Sequence, residues 1–468
     1  EDNLELDPFD FVSGFEAIKA ENDSEKKQKM LDDLNGLMRN FQENYLMTAR
    51  DFAQWGAYED AVLVLKQCTK KYPMLYYYAA YYEEKMGEDE AAKKSLEKAE
   101  SCAFDYCFPN KLDDIAVLTF AIENGCKKKA PYYLGNLFYD KLQWKKSVEL
   151  WEMSEKADDT FSIVHRNLAL AYYNKMGDSK AAKRELEKAF SLNRKDARIF
   201  LELDQLYKKL GYSFKERLAK YDEDPSLAES RDDLYIEYIT LMNMCGEYER
   251  AYRCIMGRRF HPWEGGEGKI TTQYTISLLE MAKQCFASEK YEQAEKLLKK
   301  ALVYPENLGE GKLEGTKDNH LFYHLGLALE AQGKHDEAKT CFETATIGTD
   351  EPAGAMYYND QPADMILYQG LAFEKLGKTR EAKSRFYRLI DYGEQHLNDE
   401  GKIEYFAVSL PDFLIFDEDY TKKNRAHCCY LMALGNIGLQ NREKAAEFLN
   451  EALEIEPSHM MATLYQKQ

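Results

Sequence analysis

A short helical hairpin at residues 319–345 constrains the fold of this chain more than any other stretch. In its first half, Leu325 and Leu329 recur at the spacing that places side chains on one face of an α-helix. Gly333 then interrupts the run, at a position where helices commonly end in glycine. The second half carries an apolar face centred on Phe342. Neither helix can bury its apolar side alone, so the hairpin predicts neighbours of the same kind.

Those neighbours are present along the chain as repeated copies of the turn. Each strong copy has a glycine followed five residues later by alanine: Gly56–Ala61, Gly87–Ala92, Gly177–Ala182, Gly246–Ala251 and Gly377–Ala382, with weaker copies at Leu142–Ser147, Glu289–Ala294 and Gln440–Ala445. A large apolar residue and then a small residue follow the turn, as in Leu186 with Ala189. Repetition in register predicts a stack in which each hairpin contacts only its neighbours.

This pattern resembles the tetratricopeptide repeat, a helix–turn–helix unit of about 34 residues. The resemblance runs from Gln42 to the C-terminus. It implies an all-α fold, a right-handed superhelical solenoid of about nine or ten helix pairs. We predict capping helices at 1–41, repeats at 42–231 with an irregular helical insertion near 101–127, and further repeats with extended loops at 232–468.

The repeats after residue 232 are spaced more widely than those before it. Their predicted starts lie near 232, 275, 319, 363 and 426, farther apart than the roughly 34 residues of one unit. The extra residues fall between successive repeats, at Gly257–Tyr274, Val303–Asp318, Thr346–Ala363 and Asp391–Asn424. Insertions at one repeat position project from one edge of a solenoid, so we expect these segments to form a single loop rim.

The first of these loops is unusually rich in glycine and in side chains suited to contact. Its candidate ligand or partner contacts are His261, Trp263, Glu264, Glu267 and Lys269. It is not a phosphate-binding loop, because Trp263 stands where the first glycine of that motif belongs. Two interpretations remain: a contact site, or a loop that packs Trp263 against neighbouring repeats.

A second resemblance rests on this loop, Arg258–Tyr274, together with Tyr405–Phe416. Both segments are similar to the repeat half of a bacterial multidomain family in which a galactose-mutarotase-like β-sandwich precedes the repeats. The resemblance implies carbohydrate handling, with the glycine-rich loop covering a sugar site on the β-sandwich. That domain is missing from this sequence, so no catalytic residue is assigned here.

Tyrosines recur on the first helices of the repeats, where tetratricopeptide grooves bind peptides. Tyr77, Tyr132, Tyr323 and Tyr430 occupy the fifth position of a repeat, and Tyr81 occupies a ninth position. Tyrosine combines a rigid ring with a hydrogen-bonding tip, which suits a contact surface. The rings are equally suited to filling space between helices, and the sequence does not decide between the two.

Composition excludes several classes of function. The net charge of −19 argues against nucleic acid or an anionic membrane surface as a partner. No apolar run approaches the roughly 20 residues of a membrane helix. Ten cysteines without a CxxC pair indicate reduced thiols in helix interfaces, hence a reducing, cytoplasmic setting. His320 and His324 have helical metal-ligand spacing but no evident third ligand, so we expect neither metal nor cofactor.

The sequence therefore predicts a non-enzymatic interaction scaffold. Its partner would be a protein segment, or another domain of the same polypeptide, bound through the concave face and the loop rim. The alternative is the repeat half of a carbohydrate-active enzyme, in which case the ligand is a saccharide.

Overall fold

The computed structural model describes residues 2–263, 265–352, 361–401 and 415–467, and this part of the chain is built from α-helices without a β-strand. The chain divides into two compact units, 1–192 and 193–468. The all-α prediction is confirmed. The division falls after Leu192, so the predicted start of the second group of repeats, residue 232, lies inside the second unit.

The described residues of the first unit form twelve α-helices, most of which pack against the next helix along the chain. They are α1 (Asp2–Leu6), α2 (Phe11–Ala20), α3 (Ser24–Met38), α4 (Gln42–Gln54), α5 (Tyr58–Gln67), α6 (Pro73–Lys85), α7 (Asp89–Ser101), α8 (Leu112–Glu123), α9 (Lys129–Asp140), α10 (Trp144–Ala157), α11 (Ser162–Ala171) and α12 (Ser179–Leu192). A π-helical turn at Tyr172–Met176 continues α11. The unpaired helix α8 lies in the segment predicted as an irregular helical insertion.

The second unit contains the remaining helices. They are α13 (Ala197–Lys209), α14 (Phe214–Asp222), α15 (Pro225–Glu229), α16 (Asp232–Met244), α17 (Tyr248–Met256), α18 (Lys269–Ala287), α19 (Tyr291–Ala301), α20 (Asn319–Ala331), α21 (His335–Ala345), α22 (Met365–Lys375), α23 (Thr379–His396), α24 (Tyr420–Gly438), α25 (Arg442–Ile455) and α26 (Met460–Gln466).

Local sequence explains where the helices begin. First helices start at the predicted residues Gln42, Asp232 and Asn319. Two start earlier than predicted, α18 at Lys269 and α24 at Tyr420. Gly268 precedes α18 with φ at 77°, a backbone conformation that glycine adopts without strain, and no helix breaker follows it. Residues 269–274, predicted as loop, are therefore the first turns of a longer helix.

Glycines let the two helices of a repeat approach closely. A Cβ atom at Gly326 would lie 2.5 Å from the ring of Phe342, and one at Gly135 would lie 2.5 Å from the ring of Trp151. Gly370 of α22 stands in the same relation to Phe386 of α23. The repeat thus places a ring of its second helix directly on the backbone of its first helix.

The second unit does not follow the expectation that each repeat contacts only its neighbours. Leu464 of α26 packs against Met244 of α16 and Ile276 of α18. The Lys467 ammonium donates a hydrogen bond to the Met244 carbonyl oxygen at 2.5 Å, across 223 residues of sequence. The last helix therefore packs against early repeats of its own unit.

Candidate functional site: a cavity in the second unit

An open cavity of about 310 Å³ lies within the second unit, bounded by first helices, loops and the last helix. Its wall combines apolar and aromatic side chains with hydroxyl and charged groups. The lining residues are Gly268, Thr271, Thr272, Thr275, Ile276, Leu279, Glu280, Lys283, Tyr304, Gly311, Leu313, Thr316, Lys317, Asp318, His320, Pro362, Asp364, Met365, Tyr368, Met460, Met461, Leu464 and Tyr465. The volume is at the lower end of the range for small-ligand pockets, about 300–1,000 Å³.

The arrangement of the repeats produces this cavity. Successive first helices α18, α20 and α22 all contribute to its wall, although α18 and α22 belong to repeats that are not adjacent. Side chains from such helices converge only on a concave surface. The cavity therefore marks the inner face of this unit, and α26 closes one side of it.

The inter-repeat segments meet at the same cavity. Residues of 257–274, 303–318 and 346–363 all line it. The first two segments are also joined directly, because the Phe260 amide donates to the Asn307 carbonyl oxygen at 2.8 Å and the Gly268 amide donates to Glu310 at 2.9 Å. In the fourth segment, 391–424, residues 402–414 lie outside the described part of the chain.

One carboxylate of the wall, Asp364, lies among buried tyrosines. Asp364 is 8% exposed and accepts a hydrogen bond from the Tyr430 hydroxyl at 3.4 Å. The Tyr465 hydroxyl donates to the Tyr368 hydroxyl at 2.7 Å. Burial raises the pKa of Asp364 to about 6, and burial also raises the pKa of Tyr430 well above its ordinary value. Neutral tyrosines thus surround a carboxyl group that ionises at a higher pH than an exposed aspartate does.

The other two acids of the cavity are already paired with lysines. The Lys283 ammonium lies 2.8 Å from the Glu280 carboxylate. The Lys312 ammonium lies 2.5 Å from the carboxylate of Asp318, the residue immediately before α20. Asp364 differs from both, since no ion pair to it is found among the described residues.

His320 and His324 pack against aromatic rings. The ring of Tyr368 lies 5.9 Å from the His320 ring and 5.8 Å from the His324 ring, and Tyr323 lies 5.4 Å from His324. Burial lowers the pKa of His320 to about 3 and holds that of His324 well below its ordinary value. Both imidazoles are therefore neutral at pH 7, and Nδ1 of His320 has no hydrogen-bond partner among the described residues.

The glycine-rich loop holds its candidate contacts mostly through internal interactions. The edge of Trp263 covers the backbone of Gly266, and the Lys269 ammonium lies 5.8 Å from the Trp263 ring centre. The Glu267 carboxylate accepts from the Gly265 amide at 2.8 Å. His261 is the most exposed of the set, with 78% of its side chain accessible. Glu264 lies outside the described residues.

The tyrosines proposed as contacts differ in their surroundings. In the first unit, Tyr77 is fully buried with its hydroxyl 2.5 Å from Glu100, and Tyr132 is buried beside Phe161. Tyr81 is half-buried against Phe120. In the second unit, Tyr430 is buried beside Asp364, and half-buried Tyr323 packs on Tyr368, a residue of the cavity wall.

A separate acidic cluster lies in the first unit. The potential ligand atoms of Glu155, His165 and Glu185 lie within 4.8 Å of one another. Their hydrogen bonds are already made, since His165 Nδ1 lies 2.7 Å from Glu185 and Nε2 lies 3.0 Å from the Asp159 carbonyl oxygen. Arg184 also contacts Glu185 at 2.8 Å. His165 and Glu185 thus form a buried hydrogen-bonded pair, which explains their closeness without a metal ion.

Two further observations concern membrane-spanning helices and disulfides. The helices of the described residues include none with the length and apolar character needed to cross a bilayer. All ten cysteines lie in the described part of the chain and none is in a disulfide. The sequence predicts that the thiols are buried in helix interfaces. Five of the ten are buried, and the other five are half-buried.

Comparison with known proteins identifies the repeat. A family model described as tetratricopeptide repeat matches residues 167–196, 320–346 and 426–459, and a second model with the same description matches 364–392. These matches cover nearly all of the hairpin at 319–345, the whole of α22 and most of α24.

Solved structures of repeat proteins are similar at low identity. A tetratricopeptide repeat protein from Parabacteroides merdae is 17% identical, covering 62% of this chain and 98% of that chain, with a TM-score of 0.26. The P58(IPK) TPR domain is 11% identical over 98% of both chains, with a TM-score of 0.27. YrrB, described as a TPR protein with an unusual peptide-binding site, is 18% identical over 55% of this chain and all of its own, with a TM-score of 0.20.

The family models and the helix pairs themselves identify the repeat. The sequence prediction of tetratricopeptide repeats is confirmed, whereas the predicted β-sandwich partner finds no support in these comparisons. The described part of the chain is all-α, and four of its segments match tetratricopeptide repeat models.

Proposed function

We propose that this protein is a non-enzymatic interaction scaffold, and that its second unit binds an extended segment of a partner protein. The binding site is the cavity on the inner face, bounded by α18, α22 and α26. The partner is a separate protein or another domain of the same polypeptide.

The observation that carries this proposal is the convergence of successive first helices on one open, mixed-polarity cavity. Repeat proteins present extended concave surfaces to their ligands, and insertions tend to lie on the binding side. Here the concave helices and three inter-repeat segments contribute to the same wall. Apolar side chains with a few convergent polar groups are the usual composition of a binding site.

The test is a selection of random twelve-residue peptides on the full chain by phage display. Thr272 lies on α18 in the cavity wall and is exposed, so Thr272→Trp blocks the cavity without disturbing buried contacts. We expect selected peptides to bind the unaltered chain and to lose at least about tenfold in affinity on this variant, since a filled pocket removes its anchor.

The matched control is Gln284→Trp, the same substitution at an exposed position of the same helix outside the cavity wall. It should leave affinity unchanged within about twofold. Peptides that bind both variants equally well would place the binding surface elsewhere, and the proposal would fall.

The carbohydrate alternative gains no specific support from the geometry. The indole of Trp263, the best candidate for stacking on a sugar, is engaged by Gly266 and Lys269. It remains a prediction of the sequence resemblance.

A further inference from the structure

The carboxylate of Asp364 is the most unusual group in the cavity wall. It is 8% exposed, and its nearest side-chain partner is the Tyr430 hydroxyl at 3.4 Å, a long hydrogen bond. Asp364 also precedes α22, and the helix N-terminus offsets part of its charge. An ionised carboxylate so far from water is nonetheless costly unless a cation pairs with it.

The surroundings of Asp364 suit a cation. Tyr430 lies beside it, and the rings of Tyr430 and Tyr465 are 6.0 Å apart. Tyr368 and Met365, both on helix α22, line the adjoining wall. Aromatic faces attract ammonium groups, most strongly where water is excluded, and groups of such rings recognise substituted ammonium ions.

The remaining charges of the cavity point the same way. Glu280 and Asp318 each have a lysine within 2.8 Å, so neither needs a ligand cation. Lys317 lies half-buried in the loop wall and forms no ion pair with Asp364 among the described residues. Asp364 is thus the acid of this cavity for which the described residues supply no cation, and a protein of net charge −19 attracts cations to it.

We propose that the Asp364 end of the cavity binds a primary ammonium carried on an apolar stem, such as the side chain of a lysine in the bound protein segment. The methionine and leucine side chains of α26 and α18 receive the stem, and the carboxylate and tyrosine rings receive the charge. This inference rests on the proposed function, because it names the side chain that the scaffold selects.

The experiment uses the full chain and two probes of equal length, n-hexylammonium and 1-hexanol, titrated by calorimetry at pH 7.5. Hexylammonium should bind at least about tenfold more tightly than hexanol, as expected for a desolvated charge pair. Asp364→Asn keeps the side-chain shape and should abolish this preference while hexanol still binds. Asp318→Asn, which neutralises an acid that already has its lysine, should leave the preference within about twofold.

Equal binding of both probes to the unaltered chain would overturn the inference, as would full retention of the preference in Asp364→Asn. If Asp364→Asn binds neither probe, the ratio of the hexylammonium and hexanol affinities on the unaltered chain decides whether the inference stands. Selected peptides that need the cavity but show no enrichment in lysine would refute the cation site and leave the scaffold standing. Tight hexylammonium binding with no cavity-dependent peptide would instead refute the scaffold.

Discussion

The close approach of Gly370 to Phe386 provides a sharp test of how the repeats are held together. A Cβ added at Gly370 would lie 2.8 Å from Cδ1 of Phe386 and closer still to Cε1, whereas ordinary carbon contacts are about 3.5–4.0 Å. The ring has no room to withdraw, because Gly438 of α24 faces Phe386 with the same lack of space. Two glycines from neighbouring repeats thus clamp one buried ring.

Gly370→Ala should therefore destabilise the second unit. Overpacking a core costs about 1–3 kcal/mol, and the clamped ring favours the upper end. The higher helix propensity of alanine returns about 1 kcal/mol, which leaves a net loss of about 2 kcal/mol. The assay is urea denaturation of the full chain followed by far-ultraviolet circular dichroism.

The matched control is Gly36→Ala, which makes the same change inside helix α3. No atom lies within 4 Å of the added Cβ at Gly36. The substitution should stabilise the first unit by about 0.5–1 kcal/mol. The double variant Gly370→Ala/Phe386→Leu should recover part of the loss, because the smaller side chain gives the methyl group room. A Gly370→Ala chain as stable as the original would refute the reasoning.

Three further substitutions test the buried charges. Arg217, 1% exposed, donates to Asp204 at 2.9 and 2.6 Å, so Arg217→Met should lower the free energy of unfolding by about 3–5 kcal/mol, and a loss below 1 kcal/mol in urea titrations would contradict this. Burial lowers the pKa of His165, but the hydrogen bond with Glu185 outweighs it, so the pKa lies above the ordinary value. Protonated His165 therefore stabilises the fold fully below about pH 6.5, and this stabilisation is lost as pH rises through the pKa of the folded state. Glu185→Gln should bring the pKa of His165 below its ordinary value, and an unchanged NMR titration would be the opposite outcome. Burial raises the pKa of Asp364 from 3.8 to about 6, so its ionisation destabilises the fold as pH rises through that interval. Asp364→Asn should add up to about 3 kcal/mol above pH 6 and little at pH 4, and equal denaturation midpoints for both chains at pH 7.5 would show otherwise.

The repeats were predictable because their signals are local. Gly333 with the apolar residues around it fixes one hairpin without reference to the rest of the chain, and the same holds for the copies at Gly246 and Gly377. In the same hairpin the structure places Gly326 directly against the ring of Phe342.

The cavity was not predictable, because its parts meet through long-range contacts. Nothing local to Leu464 indicates that it packs on Met244, and Asp364 reads as an ordinary residue preceding a helix. The signal that the sequence did offer was Tyr430, a tyrosine at the fifth position of its repeat, which does contact Asp364. Tyr77 occupies the same repeat position, yet its ring is fully buried in the first unit. The fifth position alone therefore does not distinguish a tyrosine beside a binding cavity from one buried between helices.

The most direct test of the account is a crystal structure of the full chain with a peptide selected from the random library. We expect peptide density in the cavity between α18, α22 and α26, with a lysine ammonium within 3.5 Å of the Asp364 carboxylate, the upper limit of roughly 3.5 Å for a direct polar contact. Peptide density on the outer helices of the second unit or on the first unit, with the cavity empty, would contradict the central claim.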